Sequence, residues 1–146
     1  MAVFGIGARY GSNYVAADFH RLGIACIGHK RKDAAEIFSE FRSLKIGDVI
    51  YMKSLSPSSK CMTVMGVGIV IDNTIRKIRD STYVDENFLG YGVKVRWQFN
   101  GEYQIGKSKE RDNHWHRRLG TFYEEYNRSI QKLVIRILLK PEKFMK

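Results

Sequence analysis

Apolar residues along this chain change period several times, and each change marks an element. Residues 2–6 form a short apolar run that reads as a strand and ends in a glycine-rich turn, "GIGARYGSN". Beyond it Val15, Phe19 and Leu22 fall on one helical face. Ser12 or Asn13 stands as N-cap and Gly23 as stop, which predicts a helix over 13–22. "IACIG" is a second buried strand. In "DAAEIFSEFRSLKIGD" the stripe Ala34, Ile37, Phe38, Phe41 and Leu44 predicts an amphipathic helix over 33–44. "DVIYMK" then returns to strand. "KCMTVMGVGIVID" is the longest strand, and Gly66 and Gly68 inside it point to a bulge or a close backbone crossing.

Residues 73–87 are polar and lack a clean period, so they read as an excursion. "YGVKVRWQF" alternates well: Tyr91, Val93, Val95, Trp97 and Phe99 share one side, Lys94, Arg96 and Gln98 the other. Asn100-Gly101 follows as a hairpin signal, with "EYQI" as the returning strand. A basic stretch from Lys107 to Arg118 leads into a last helix over 124–139, whose apolar face carries Tyr126, Ile130, Leu133, Val134, Ile137 and Leu138. Thr121 and Glu124 suit a capping box, although Thr121 to Tyr123 suits a strand equally well.

Strand, helix, strand, helix, several antiparallel strands and a final helix make an α+β order. Glycine-bearing strands argue for a small curved barrel, mostly antiparallel and partly open, with the helices packed outside. At 146 residues, without repeats or a proline-rich linker, the chain reads as a single domain over 1–146. Cys26 and Cys61 each fall in an apolar strand and read as reduced core thiols. No apolar run approaches the roughly 18 residues a membrane helix needs, and no secretory signal is visible. A cytoplasmic protein with no membrane partner is expected.

Charge narrows the function. Lys and Arg number 25 against 15 Asp and Glu, a net +10. Basic surfaces gain affinity for phosphate backbones by releasing counterions, so nucleic acid is the favoured partner.

The run "GIACIGHKRKDAAEIFSEFRSLKIGDVIYMKS", followed by "MTVMGVGIVIDN" and "GYGVKVRWQ", resembles the PUA-like superfamily. It is most similar to the EVE branch and to the EVE-like modules of modification-dependent restriction systems. The shared pattern is a strand ending in Ile-Gly, a phenylalanine-bearing helix, a Lys-x-Gly-Asp turn, a Gly-x-Gly-x-Val strand and a Val-x-Trp strand. The resemblance covers residues 4–135, and 75–88 and "HWHRR" match nothing in it. It implies a PUA-like barrel and a non-enzymatic module that binds DNA or RNA. It further implies reading a modified base, flipped into an aromatic-walled pocket, in a restriction, defence or RNA-modification setting.

Candidate sites follow. "GIGARYG" lacks the Lys-Ser/Thr of a phosphate loop and the acidic partner of a dinucleotide fold. In the PUA-like pattern this turn sits at the barrel mouth, so Arg9, Tyr10, Ser12, Asn13 and Tyr14 line a base pocket. Alternatively Gly5 and Gly7 only permit tight packing. In "GHKRK" His29 faces the base while Lys30, Arg31 and Lys32 meet phosphates, unless the run is a solvated loop. The resemblance implies a ligand contact after "GDVIYM", so Ser54 joins the pocket and Lys53 the phosphate set. Trp97 is either a stacking wall or core. Arg96, Lys107, Lys109, Arg117 and Arg118 complete the phosphate contacts, with Trp115 among them.

His114 and His116 lack a third ligand at suitable spacing, so no metal is expected, and no other cofactor. Asp48 sits in a turn the fold itself needs, and no nucleophile–base set is legible, so no enzyme is expected. Two other readings stay open. The same pocket could take a small molecule or nucleotide signal, or the basic surface could dock an acidic protein as an interaction or inhibitor module.

Overall fold

A computed structural model describes residues 1–10, 13–28, 35–56, 61–79, 90–105 and 121–145; at 9, 10, 13, 55, 56 and 61 it describes the backbone alone. The elements in order are β1 (Val3–Gly7), β2 (Arg9–Tyr10), β3 (Asn13–Tyr14), α1 (Ala16–Leu22), β4 (Ile24–Ile27) and α2 (Ala35–Arg42). They continue with β5 (Val49–Ser56), β6 (Cys61–Ile78), β7 (Gly90–Ile105), β8 (Phe122–Glu124) and α3 (Arg128–Leu139), and a short 3-10 turn, Pro141–Lys143, follows. Six strands join in the order β4-β7-β6-β5-β1-β8, while β2 and β3 form a separate two-stranded hairpin. Only β1–β5 is a parallel pair; the other neighbours in the sheet are antiparallel. The sheet curls into a mixed half-barrel, a small α+β fold as the alternating and glycine-bearing runs predict. No helix among the described residues is long and apolar enough to cross a membrane.

Side chains alternate across the sheet and so feed two cores. Phe4, Ile50 and Met52 face α1 and α2 with Phe19, Phe38 and Phe41. Val3, Val49 and Tyr51 face α3 with Phe99, Ile130, Val134 and Ile137. Period-2 alternation accounts for both sets, since each strand is covered on both sides. Phe122 stacks on Phe4 at 5.2 Å and meets Phe41 edge-on at 5.1 Å, which seats α2 against the β1–β8 edge. Cys26 is a buried free thiol, and burial pushes its pKa up.

Register shifts place the curl. β6 slips against β7 between Val64 and Gly66 and again between Val67 and Gly68, at the glycines the sequence singles out. A β-carbon at Gly68 would stand 2.6 Å from the Arg96 carbonyl oxygen, so only glycine lets the strands approach this closely. Asp48 holds the turn before β5: its carboxylate accepts from the backbone N–H of Ala2 at 3.0 Å and of Lys45 at 2.8 Å.

Several expectations change. Asn100-Gly101 makes no hairpin, because β7 runs through it unbroken. A tight Asn-Gly turn needs positive φ at both residues. Gly101 is not among the positive-φ glycines, and β6 offers it a continuous partner. The supposed excursion after Asn73 begins as strand, since β6 extends to Ile78; residues 80–87 lie outside the described residues. Asn13 does not cap α1, and Ser12 lies outside the described residues. Asn13 lies in β3, and Val15 precedes the helix with no side-chain cap. Gly23 does end it, at φ 66°. Of the two readings for 121–124 the strand prevails: Phe122–Glu124 is β8, and Asn127 caps α3 by accepting from the Ile130 N–H at 3.1 Å.

Strand direction brings a further correction. The PUA-like pattern puts the loops after Ile6, Ile27 and Met52 around one concave site at one end of the barrel. β1 and β5 run together, but β4 is antiparallel to β7, which itself runs with them. Ile27, at the end of β4, therefore lies at the edge opposite the ends of β1 and β5.

Candidate ligand cleft

The glycine turn that follows β1 becomes the β2–β3 hairpin, with Arg9 opposite Tyr14 and Tyr10 opposite Asn13. The Val15 N–H donates to the Ala8 carbonyl at 2.9 Å, which closes the hairpin and starts α1 against the sheet. Two open depressions adjoin where α1 crosses β6 and β7. One, of about 480 Å³, is lined by Tyr14, Ser54, Thr63 and Met65 together with Ala16, Ala17 and Glu102. Its neighbour, of about 540 Å³, shares Ala16, Ala17, Met65 and Glu102 and adds His20, Arg21, Asn100 and Gly101. Ligand sites commonly occupy roughly 300–1,000 Å³, so each is of usable size. Tyr14 is half exposed, with an apolar ring at the rim.

His20 anchors the second depression. Its Nε2 stands 3.0 Å from the Met65 carbonyl oxygen, and its ring meets Trp97 edge-on at 5.4 Å. Gly66 makes this seat possible: a β-carbon there would lie 2.9 Å from His20 Cε1 and from Met52 Cε. Burial lowers the His20 pKa below its ordinary value, against the raising effect of the Met65 carbonyl. That shift favours the neutral ring. Arg21 pairs with buried Asp18 at 2.9 Å, and Glu102 places an exposed carboxylate at the other wall.

Of the residues the sequence singles out, the structure brings Tyr14 and Ser54 to one depression, and puts the backbones of Arg9, Tyr10 and Asn13 in the hairpin beside it. Trp97 lines neither depression. Its Nε1–H donates to the carbonyls of Phe19 at 3.0 Å and Ile24 at 3.1 Å, tying α1 and β4 to β7. Lys53 is buried on the α3 side, with Nζ 5.3 Å from the centre of the Tyr123 ring, so it presents no cation to the surface. Arg96 is exposed on β7. Ser12, His29, Lys30, Arg31, Lys32, Lys107, Lys109, Arg117 and Arg118 lie outside the described residues, as does the "HWH" stretch.

Sequence reading missed His20 and Glu102. A lone histidine after Phe19 carries no periodic signal, and only the β6 register shows that Gly66 makes room for it.

No family model matches the chain, and no curated protein matches it. Solved structures share its fold. The YTH domain of Mmi1 in a crystal structure with RNA aligns over 99% of this chain and 82% of its own, with TM-score 0.53 and 11% identity. A second Mmi1 YTH structure aligns over 97% and 78%, with TM-score 0.52 and 12% identity. The NMR structure of Rpa0253 from Rhodopseudomonas palustris aligns over 94% and 92%, with TM-score 0.54 and 14% identity. At such identities the likeness is one of fold.

Proposed function

We propose that this protein is a nucleic-acid-binding module that reads a modified base held in the cleft between α1 and the β5–β6–β7 surface, and that it catalyses no reaction there. The observation that carries the reading is the pairing of Tyr14 and Ser54 on one open depression in a chain of net charge +10. Similarity of fold to an RNA-bound YTH domain supports it. So does the sequence resemblance to PUA-like modules, of which the EVE branch is the finer assignment we favour.

The chemistry is economical. Flipping a base out of its stack costs a few kcal/mol, which the cleft must offset. Stacking on an aromatic ring contributes about 1–3 kcal/mol, and Tyr14 supplies the ring. Ser54 offers a hydroxyl that both donates and accepts at the base edge. Tyr10 and Asn13, on the same hairpin, extend the rim, with Arg9 and Ser12. Glu102 repels phosphate, so the backbone runs outside the cleft. Exposed Arg96 and the cations of the 29–32 and 107–118 stretches are the proposed phosphate contacts.

Binding to modified and plain oligonucleotides, repeated across salt concentrations, tests this. A backbone-binding reader gives log affinity falling with log salt by about 0.9 per phosphate contact on duplex and about 0.7 on single strands. Tyr14→Ala should weaken the preferred oligonucleotide by about 1–3 kcal/mol with the slope unchanged. A salt-independent affinity would instead favour a small-molecule site.

A further inference from the structure

Two of the groups that line the second depression, His20 and Glu102, offer hydrogen-bond acceptors. A carbonyl oxygen accepts only, so the contact between His20 Nε2 and Met65 O requires the proton on Nε2. In the neutral ring Nδ1 is then a bare lone pair. Nδ1 has no donor among the described residues: His20 makes the Met65 bond and the edge-on contact with Trp97. Trp97 is itself fixed by its two carbonyl bonds, and Gly66 leaves no β-carbon to push the ring aside. The ring is thus held in one orientation. Glu102, on the same depression, adds two carboxylate acceptors. Arg21 gives one guanidinium N–H to Asp18, and the Asn100 amide lines the same depression.

We infer that His20 Nδ1 and the Glu102 carboxylate select a base edge that presents N–H donors, so that the ligand is an amino-bearing heterocycle such as an adenine or cytosine derivative. This rests on the base-reader assignment above and names the chemical class that site accepts. A carboxylate can take the amino group of cytosine in this way, and an acceptor nitrogen serves an adenine amino group equally. A site that hydrogen-bonds a donor favours the ligand that carries it over an analogue without it, because the acceptor otherwise goes unpaired in the complex. Ligands with only carbonyl edges, such as uracil read at O4, would leave both His20 Nδ1 and the Glu102 carboxylate without a donor.

The test uses the full chain and short single-stranded oligonucleotides that differ at one central base. Adenine is compared with purine, and cytosine with 2-pyrimidinone; each second member lacks only the exocyclic amino group. The unmodified protein is expected to bind the amino member of a pair about tenfold more tightly. His20→Phe, which keeps a ring against Trp97, and Glu102→Gln should each shrink that ratio toward one. His20→Asn, which retains a side-chain acceptor, should restore part of it. Thermal unfolding of each variant confirms that it is folded.

Equal binding of both members by the unmodified protein, or an unchanged ratio in both His20→Phe and Glu102→Gln, would overturn the inference. If the central base still mattered in either case, the base-reader assignment would survive. If all four oligonucleotides bound alike, or none bound, both would fall.

Discussion

One sheet presents two contrasting faces. On the α3 side, polar groups are buried and turned toward one another. Gly5 pairs with Tyr51 on one flank and Tyr123 on the other, and the two rings close over it with their hydroxyls 2.7 Å apart. The Tyr51 hydroxyl also lies 2.7 Å from Glu125 Oε1, and Glu125 Oε2 accepts from the Asn127 N–H at 3.1 Å. Buried groups satisfied like this fix the geometry of a corner, here where β8 turns into α3. On the α1 side the strands bulge at the glycines, α1 stands over the gap, and His20 keeps one ring atom without a donor among the described residues. Both faces carry a core; the α1 face, which also opens into the two depressions beside α1, is the hollow one.

The contrast can be broken first at Gly5. A β-carbon there would lie 2.7 Å from the Tyr123 ring and 2.8 Å from that of Tyr51, neither of which can retreat. Gly5→Ala should cost about 3 kcal/mol in urea unfolding, the upper end of overpacking penalties. Tyr51→Phe leaves a buried carboxylate short of one donor and should cost about 2 kcal/mol. Neither should alter base preference once the protein is folded.

On the hollow face Gly66→Ala meets the flexible tip of Met52, which can swing, and the ring of His20, which would be pushed off its Met65 bond. A stability loss of about 1 kcal/mol is expected, with a disproportionate loss of base discrimination. If Gly66→Ala proved as destabilising as Gly5→Ala, the two faces would not differ as described.

Smaller effects come with pH. Burial, then the neighbouring Tyr123 and Glu125, hold the Tyr51 hydroxyl well above its ordinary pKa. The unfolded chain releases that proton sooner, so stability is complete below about pH 10 and falls as pH rises beyond it. Subtracting the Tyr51→Phe profile should remove that part of the decline. His20 acts in the opposite range. Its folded pKa is lowered, so stability falls as pH drops from about 6.5 through the folded value. The same fall should be absent in His20→Phe.

Legibility in the sequence followed from how local each determinant is. Gly23, the Phe38–Phe41 stripe, the Asp48 turn and the bulging glycines Gly66 and Gly68 are local signals, and each appears where expected. Asn100-Gly101 misled because a long partner strand outweighs turn preference. The β2–β3 hairpin is too short for its two-residue arms to show a period. Relative strand direction is not contained in strand order, so Ile27 was placed at the wrong edge. Of the proposed pocket, Tyr14 and Ser54 could be anticipated because one follows β1 and the other lies near the end of β5, the parallel pair. His20 could not, since its role depends on a glycine 46 positions away in sequence but adjacent in space.

The central claim is that recognition belongs to the hollow face, and backbone amide shifts of isotope-labelled protein test it most directly. An adenine-containing single-stranded oligonucleotide should shift the amides of Tyr14, Ala17, His20, Ser54, Met65 and Glu102 and leave Tyr51, Glu125, Val134 and Ile137 unmoved. Shifts confined to α3 and its exposed cations, with the cleft silent, would contradict it.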